Sequence, residues 1–185
     1  VHGKAAHSGL DFLAGANAVV ELCRQVQEIA AFTDLTCGLT VSPGIISGGT
    51  RTNVVPAEAE VQVDVRVERA SDAVIVDRKF HGLQPFDSRC SLTIEGGLNR
   101  PPMEHTPAVQ QLFRTAQEAG ATLGVTLEES ASGGGSDGNF TAGLGIPTLD
   151  GLGGVGEGAH AVHESILIDR IADRTALLAM LLQTL

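Results

Sequence analysis

Tryptophan and tyrosine are absent from this chain, and phenylalanine occurs six times in 185 residues. Proteins that grip single-stranded nucleic acid stack its bases on aromatic rings, and so few rings supply no such platform. Positive charge is also sparse. Twelve Lys and Arg face 22 Asp and Glu, a formal net charge of −10. Such a surface repels polyanions and anionic membranes, so neither nucleic acid nor membrane is expected as a partner. No apolar stretch approaches the roughly 20 residues of a membrane-crossing helix. The opening Val1-His2-Gly3-Lys4 has no basic segment leading into an apolar one, so no signal peptide is read. Val1 in the place of methionine fits processing, a removed tag or a piece cut from a longer chain. Cys23, Cys37 and Cys90 form no CxxC and cannot all pair. A reducing compartment, and with it a cytoplasmic location, is expected.

What is present is globular composition, 43% hydrophobic and 18% charged, which excludes intrinsic disorder. The chain reads in two parts that divide at Pro101-Pro102. Residues 1–104 hold nine of the 12 basic residues and alternate strand and helix patterns. Val1–Ala6 reads as a short strand. Val19, Leu22, Cys23, Val26, Ile29 and Ala30 form one helical stripe between Ala16 and Phe32. Leu39, Val41 and Ile45 alternate up to the turn Gly48-Gly49-Thr50. The clearest signal is the run from Val55 to Glu68, where valine or alanine alternates with polar residues as in a half-buried antiparallel strand. Ser71-Asp72 caps a helix through His81, and Cys90, Leu92 and Ile94 alternate as a last strand. The order β-α-β-β-α-β describes a ferredoxin-like sandwich over residues 1–102.

Residues 103–185 read α-β-α-β-loop-α. Thr106 caps a helix with Pro107 at its first position, and Gly120 follows its end. Strands are expected at Val125–Leu127 and Ile146–Leu149, and a final helix capped by Asp169 carries Ile171, Leu178 and Leu182. Helix–strand alternation implies a parallel sheet, which needs several strands and two covered faces. Two strands do not suffice, so the second part reads as a partial parallel α/β domain completed from elsewhere.

Three features could carry chemistry. Ser132-Gly133-Gly134-Gly135-Ser136-Asp137, ahead of a helix, reads either as an anion cradle of backbone N–H groups or as a tight turn. Gly156-Glu157-Gly158-Ala159-His160-Ala161-Val162-His163-Glu164 gathers two imidazoles and two carboxylates, the usual ligands of zinc, without the spacing of a known zinc motif; polar surface reads as well. His7, Arg51, Asn53, Arg66 and Arg100 are polar positions at strand ends and edges that serve a site or plain surface.

Together these segments resemble the M20 family of zinc-dependent metallopeptidases, in particular its glutamate carboxypeptidase branch. The matching stretches are Gly3-Lys4-Ala5-Ala6-His7-Ser8-Gly9, Gly15-Ala16-Asn17-Ala18, Gly48-Gly49-Thr50-Arg51-Thr52-Asn53-Val54-Val55-Pro56, Asp64-Val65-Arg66, Arg100-Pro101-Pro102-Met103, Gly133-Gly134-Gly135-Ser136-Asp137, Pro147-Thr148-Leu149 and Gly158-Ala159-His160 with Glu164. They occur in the family's order along nearly the whole chain.

The resemblance implies a lid over residues 1–102, through which many members form homodimers, and the last portion of a zinc-binding catalytic domain over 103–185. It makes His160 a ligand to one of two zinc ions. His7, a catalytic residue, and Asn53 join the active site of the dimer partner. Arg66 and Arg100 hold the carboxylate of a small substrate, and Gly134 and Ser136 line its pocket. The family's His-x-Asp, bridging Asp and Glu-Glu pair have no counterpart here, so this chain alone is expected to be inactive. The parent activity implied is removal of a C-terminal, glutamate-like residue or an N-acyl group. The alternatives are an M20-like deacylase of other specificity and a non-catalytic, self-associating ferredoxin-like module.

Overall fold

The first seven residues run extended and are hydrogen-bonded on both sides. In the computed structural model, which describes residues 1–184, Val1 and Ala59 exchange backbone hydrogen bonds of 2.8 and 3.1 Å. His2 exchanges a pair with Ser91 at 2.9 and 2.8 Å, and Lys4 a pair with Ala16 at 2.9 Å each. The segment ends in β1 (Ala6–His7). Helix α1 (Ala18–Ala30) follows, with the Asn17 side chain accepting from the Val20 N–H at 3.0 Å, a standard N-cap. Then come β2 (Thr40–Gly48), β3 (Val54–Val55), β4 (Ala59–Arg66) and α2 (Ala70–His81). β1 pairs with β3 and β2 with β4, both antiparallel, and Gly44 bulges out of β2 between Pro43 and Ile45.

The chain divides into two compact units, Val1–Asn99 and Arg100–Leu185. In the first, the alternation read from Val55 to Glu68 is observed along β4, although the run is not one strand, since β3 ends at Val55 and β4 begins at Ala59. Val61, Val63 and Val65 are half-buried, whereas Glu60, Gln62 and Asp64 are exposed. One apolar cluster joins Ala18, Leu22 and Ala59; a second joins Ile29, Leu39, Val41, Val76 and Leu83, with Val63, Val65, Leu92 and Ile94 packed against it.

Three expectations for this unit need correction. The buried face of α1 holds Glu21 and Gln25 along with Ala18, Leu22 and Ile29, while Cys23 and Ala30 face solvent. The cause is a hydrogen-bond network described below. α2 begins at Ala70, and no side-chain cap bond is made at Arg69, so Ser71-Asp72 lies inside the first turn. The strand expected at Cys90–Ile94 is a single bridge, Ser91 to His2. Beyond His2 that side of the N-terminal segment is taken by Ala16, which pairs with Lys4 and ends the ladder.

The second unit contains α3 (Pro107–Thr122), α4 (Gly138–Gly143), β5 (Gly156–Glu157), β6 (Ser165–Ile166) and α5 (Ile171–Thr184). Its core joins Ala116 and Ala119 of α3 to Val125, Leu127, Leu177 and Leu181. Gly120 lies within α3 rather than after it, and a Cβ there would stand 2.7 Å from the Val125 carbonyl oxygen. That close approach lets the chain fold back on its own helix. The buried residues of α5 are Leu177 and Leu181; Leu178 and Leu182 face outward, and Asp169 sits in a 3-10 turn ahead of the helix.

The parallel sheet expected over residues 103–185 is not formed among the described residues. β5 and β6 pair antiparallel, and neither Val125–Leu127 nor Ile146–Leu149 enters a ladder. The helix ends draw on their backbone instead: the Val125 N–H donates to Gly120 at 2.8 Å and the Ile146 N–H to Thr141 at 3.2 Å. With no strand among the described residues alongside, local capping satisfies these donors.

The register of β4 can be tested directly. Val63→Asp places an unpaired charge among half-buried valines, costs several kcal/mol and unfolds the first unit. Gln62→Asp, on the wet face, changes stability by less than about 0.5 kcal/mol. Thermal melts of the two variants check this; equal melting temperatures would mean the register is off by one residue.

Candidate active site

His7 closes β1 and is exposed. Its Nδ1 accepts the N–H groups of Gly9 at 3.1 Å and Leu10 at 3.2 Å. A ring nitrogen that accepts is unprotonated, so in the neutral ring Nε2 carries the hydrogen and is the nitrogen left to act as a donor. The Ser8 N–H donates to the Asn53 carbonyl oxygen at 3.1 Å, and His7 stands opposite Val54 in the ladder. His7 and Asn53, 46 positions apart in sequence, are thus neighbours because β1 pairs with β3.

Arg66 is not brought to them. It ends β4 opposite Thr40, at the far end of that strand from Ala59. Its Nε donates to Asp64 Oδ2 at 2.7 Å, and this hydrogen bond holds the guanidinium charge more firmly than usual.

A polar network that the sequence reading missed lies between α1 and residues 84–89. Glu21 is 2% exposed. Its Oε1 accepts from Gln25 Nε2 at 2.8 Å and the Phe86 N–H at 2.9 Å, and its Oε2 accepts the Asp87 N–H at 2.9 Å. Burial alone would raise the Glu21 pKa, but the hydrogen bonds outweigh it and hold the carboxyl below its ordinary value. Arg89 grips the Asp87 carboxylate with Nε at 3.0 Å and Nη2 at 2.6 Å, lowering the Asp87 pKa to about 2. A cavity of about 210 Å³ beside this network is lined by Phe12, Leu13, Asn17, Arg24, Asp87 and Arg89. The signal in the sequence was a pair of polar residues, Glu21 and Gln25, one turn apart on the helix face that also carries Ala18 and Ile29.

In the second unit, Arg100 lies against the turn that opens α4. Its Nη1 reaches Asp137 Oδ1 at 3.3 Å, and its guanidinium sits 5.0 Å from the centre of the Phe140 ring. Ser136 belongs to the same turn: its N–H donates to Asn139 Oδ1 at 2.7 Å, and the Asn139 side chain donates to the Pro101 carbonyl at 2.8 Å. Arg100 and Ser136 are therefore brought together. The amides that an anion cradle would offer are engaged by the loop's own side chains, Gly134 by Ser132 Oγ at 3.0 Å and Gly138 by Ser136 Oγ at 2.9 Å. The segment is built as a turn.

His160 lies in a different loop, between β5 and β6. It adopts the left-handed region, φ 66°, which is uncommon for a residue with a side chain and marks a position worth a functional reading. Its N–H donates to Glu164 Oε2 at 3.3 Å. Among the described residues no three His, Cys, Asp or Glu side chains gather in a set able to hold a metal ion. The donors of this chain by themselves do not fit a zinc site, which takes three or four ligands. Nor is Cys90 a nucleophile in waiting, since burial raises its thiol pKa.

Known proteins share this arrangement of segments. Residues 1–83 match the peptidase dimerisation domain of the M20 family. The chain is homologous to carboxypeptidase G2 of Pseudomonas sp. (strain RS-16), with 30% identity over 192 residues that cover 100% of this chain and 46% of that protein. Succinyl-diaminopimelate desuccinylase of Xanthomonas campestris is 32% identical over 137 residues, covering 74% of this chain and 35% of the enzyme. Among solved structures, the aminopeptidase PepT of Bacillus cereus superposes with a TM-score of 0.77 at 22% identity, over 97% of this chain and 48% of that one. A tripeptidase of Staphylococcus aureus gives 0.70 at 21% identity, over 99% and 49%. These likenesses show a mixed α/β fold shared with M20 peptidases. The chain spans about half the length of the curated relatives it matches. No helix among the described residues is long and apolar enough to cross a membrane.

The network around Glu21 and Asp87 sets an acid limit. Both carboxylates have pKa values lower in the folded state than in the unfolded chain. Their contribution to stability is present above the unfolded values and is lost as pH falls through the folded ones. The first unit therefore loses stability between about pH 4.5 and about pH 2. Glu21→Gln flattens the upper part of that loss, read as melting temperature against pH, whereas Asp87→Asn changes the profile little because its pair with Arg89 is open to water. Parallel profiles for Glu21→Gln and the unaltered chain would contradict the network.

Proposed function

We propose that this chain is the lid and the closing catalytic portion of an M20 zinc-dependent metallopeptidase or amidohydrolase. Its substrate is a small molecule with a free carboxylate, cleaved at a C-terminal, glutamate-like residue or at an N-acyl group. The observation that carries the reading is 30% identity to carboxypeptidase G2 along the whole chain. The juxtaposition of His7 and Asn53, both within the segments that resemble the family, supports it. The desuccinylase relative favours the N-acyl form of the reaction as the second reading.

On this proposal residues 1–102 are a ferredoxin-like lid and residues 103–185 the end of the catalytic domain. A ferredoxin-like order is supported by the backbone bridges, which run from Ser91 to His2, from His2 to Glu58, and from β4 to β2. The lid joins two copies into a homodimer and contributes His7 and Asn53 to the partner's site. There the Nε2–H of His7 donates to the oxyanion that forms on the attacked carbonyl. Arg66 and Arg100 hold the substrate carboxylate with a planar fork that matches it bidentately, and Gly134 and Ser136 line the pocket. His160 supplies one zinc ligand, and the remaining donors come from outside this chain. The three unpaired cysteines support a reducing, cytoplasmic setting.

Two outcomes test the proposal. The 185-residue chain self-associates at micromolar concentration. β2 pairs with β4 along one edge and carries Ile45 and Ile46, which are 62% and 57% exposed. Ile45→Lys weakens association about tenfold or more without unfolding the lid, because a charge on an exposed edge blocks strand pairing. Sedimentation equilibrium reads this; a clean monomer for the unaltered chain would contradict the homodimer. In an enzyme extended to the length of the relatives, His7→Ala lowers kcat on an N-acyl glutamate about 100-fold or more and leaves KM nearly unchanged. His160→Ala abolishes turnover, and His163→Ala has a much smaller effect. Turnover that survives His160→Ala would overturn the zinc assignment.

A further inference from the structure

The loop after His7 leaves β1, makes one tight turn and returns to the sheet. The Asp11 N–H donates to the His7 carbonyl at 3.0 Å, Phe12–Ala14 form a 3-10 turn, and Ala16 pairs with Lys4. Gly15 is pressed against the sheet, where a Cβ would stand 2.9 Å from Val55 and 3.0 Å from Ala6. The loop's side chains do not hold it in place, since Leu10, Phe12 and Leu13 are 85%, 59% and 88% exposed. A loop without buried apolar anchors depends on hydrogen bonds to its backbone.

Arg89 supplies such bonds. Its Nη1 donates to the Gly15 carbonyl at 2.8 Å and the Leu13 carbonyl at 3.3 Å, while the rest of its fork is held by Asp87. Asp87 is fixed in turn, because its N–H and that of Phe86 end on the buried carboxylate of Glu21. Gln25 ties the same carboxylate to the Gln84 carbonyl. The relay runs from the core of α1 to the base of the His7 loop. The Arg89 and Asp87 side chains are 57% and 28% exposed. An ion pair so open to water adds little to global stability. Its contacts decide where the loop sits more than whether the unit folds.

We infer that Arg89 is a positioning residue for His7: through Leu13 and Gly15 it holds the loop in the conformation that aims the Gly9 and Leu10 amides at His7 Nδ1 and leaves the proton on Nε2. The meaning of this for catalysis rests on the proposed function, but the geometry does not. Lysine cannot replace the fork, because grip on a carboxylate and on two carbonyls needs planar donors on both edges.

The test is nuclear magnetic resonance on the isotope-labelled full chain. In the unaltered protein, coupling through the hydrogen bond joins His7 Nδ1 to the amide nitrogen of Gly9 or Leu10. Arg89→Ala abolishes that coupling and speeds amide exchange at Gly9 and Leu10 about tenfold or more, with little change in melting temperature. Asp87→Asn acts in the same direction more weakly and serves if Arg89→Ala folds poorly. Val76→Ala, in the cluster under α2, lowers the melting temperature and leaves the His7 signature intact. Three results would overturn the inference: no coupling in the unaltered chain, coupling that persists in Arg89→Ala, or equal loss in Val76→Ala. Intact coupling in an enzyme whose turnover ignores His7 would fault the functional reading and leave this inference standing.

Discussion

The N-terminal segment is held from both sides, and the rest of the first unit is arranged around that constraint. Val1 and Gly3 bond to residues 57–59, whereas His2 and Lys4 bond to Ser91 and Ala16. Alternate backbone groups of one short run thus tie together three other stretches of the chain. Because the run cannot shift without breaking both sets, β1 arrives beside β3 in one register, and His7 meets the Asn53 backbone. An unpaired buried amide costs about as much as a lost hydrogen bond, so a one-residue slip would be opposed several times over.

That constraint explains why features of two kinds were legible to different degrees. The valine alternation of β4 and the Thr106 cap depend on local pattern, and the structure carries each of them. Elements that depend on a distant partner did not follow from pattern. Leu92 and Ile94 do pack into the core as their alternation indicates, yet their backbone makes no strand because Ala16 occupies the neighbouring edge. Val125 and Leu127 are buried as a strand's inward residues would be, yet no neighbouring strand among the described residues turns them into a ladder. Side-chain burial is set by composition; strand pairing is set by what lies alongside.

The candidate site divides in the same way. His7, Asn53, Arg66, Arg100, Gly134, Ser136 and His160 could be named from motifs, but the motifs did not show which of them meet. β1–β3 pairing brings His7 to Asn53, and the turn ahead of α4 brings Arg100 to Ser136, while Arg66 ends β4 beside Asp64. The Glu21–Asp87–Arg89 network was not read at all. Buried charge on an otherwise apolar helix face looks like a flaw in the stripe until its partners, 65 and 66 positions away, are known. A carboxylate in the core is tolerable when amide donors surround it, and here those donors belong to the segment that braces the His7 loop.

On the proposed function, the lid of one subunit completes the catalytic site of the other. The direct measurement is complementation between two inactive variants of the enzyme extended to full length, one subunit carrying His7→Ala and the other His160→Ala. If His7 acts across the dimer, random mixing yields dimers with one intact site, and about a quarter of the unaltered activity returns. If mixing restores no activity although mixed dimers form, His7 serves its own subunit or none, and the claim fails.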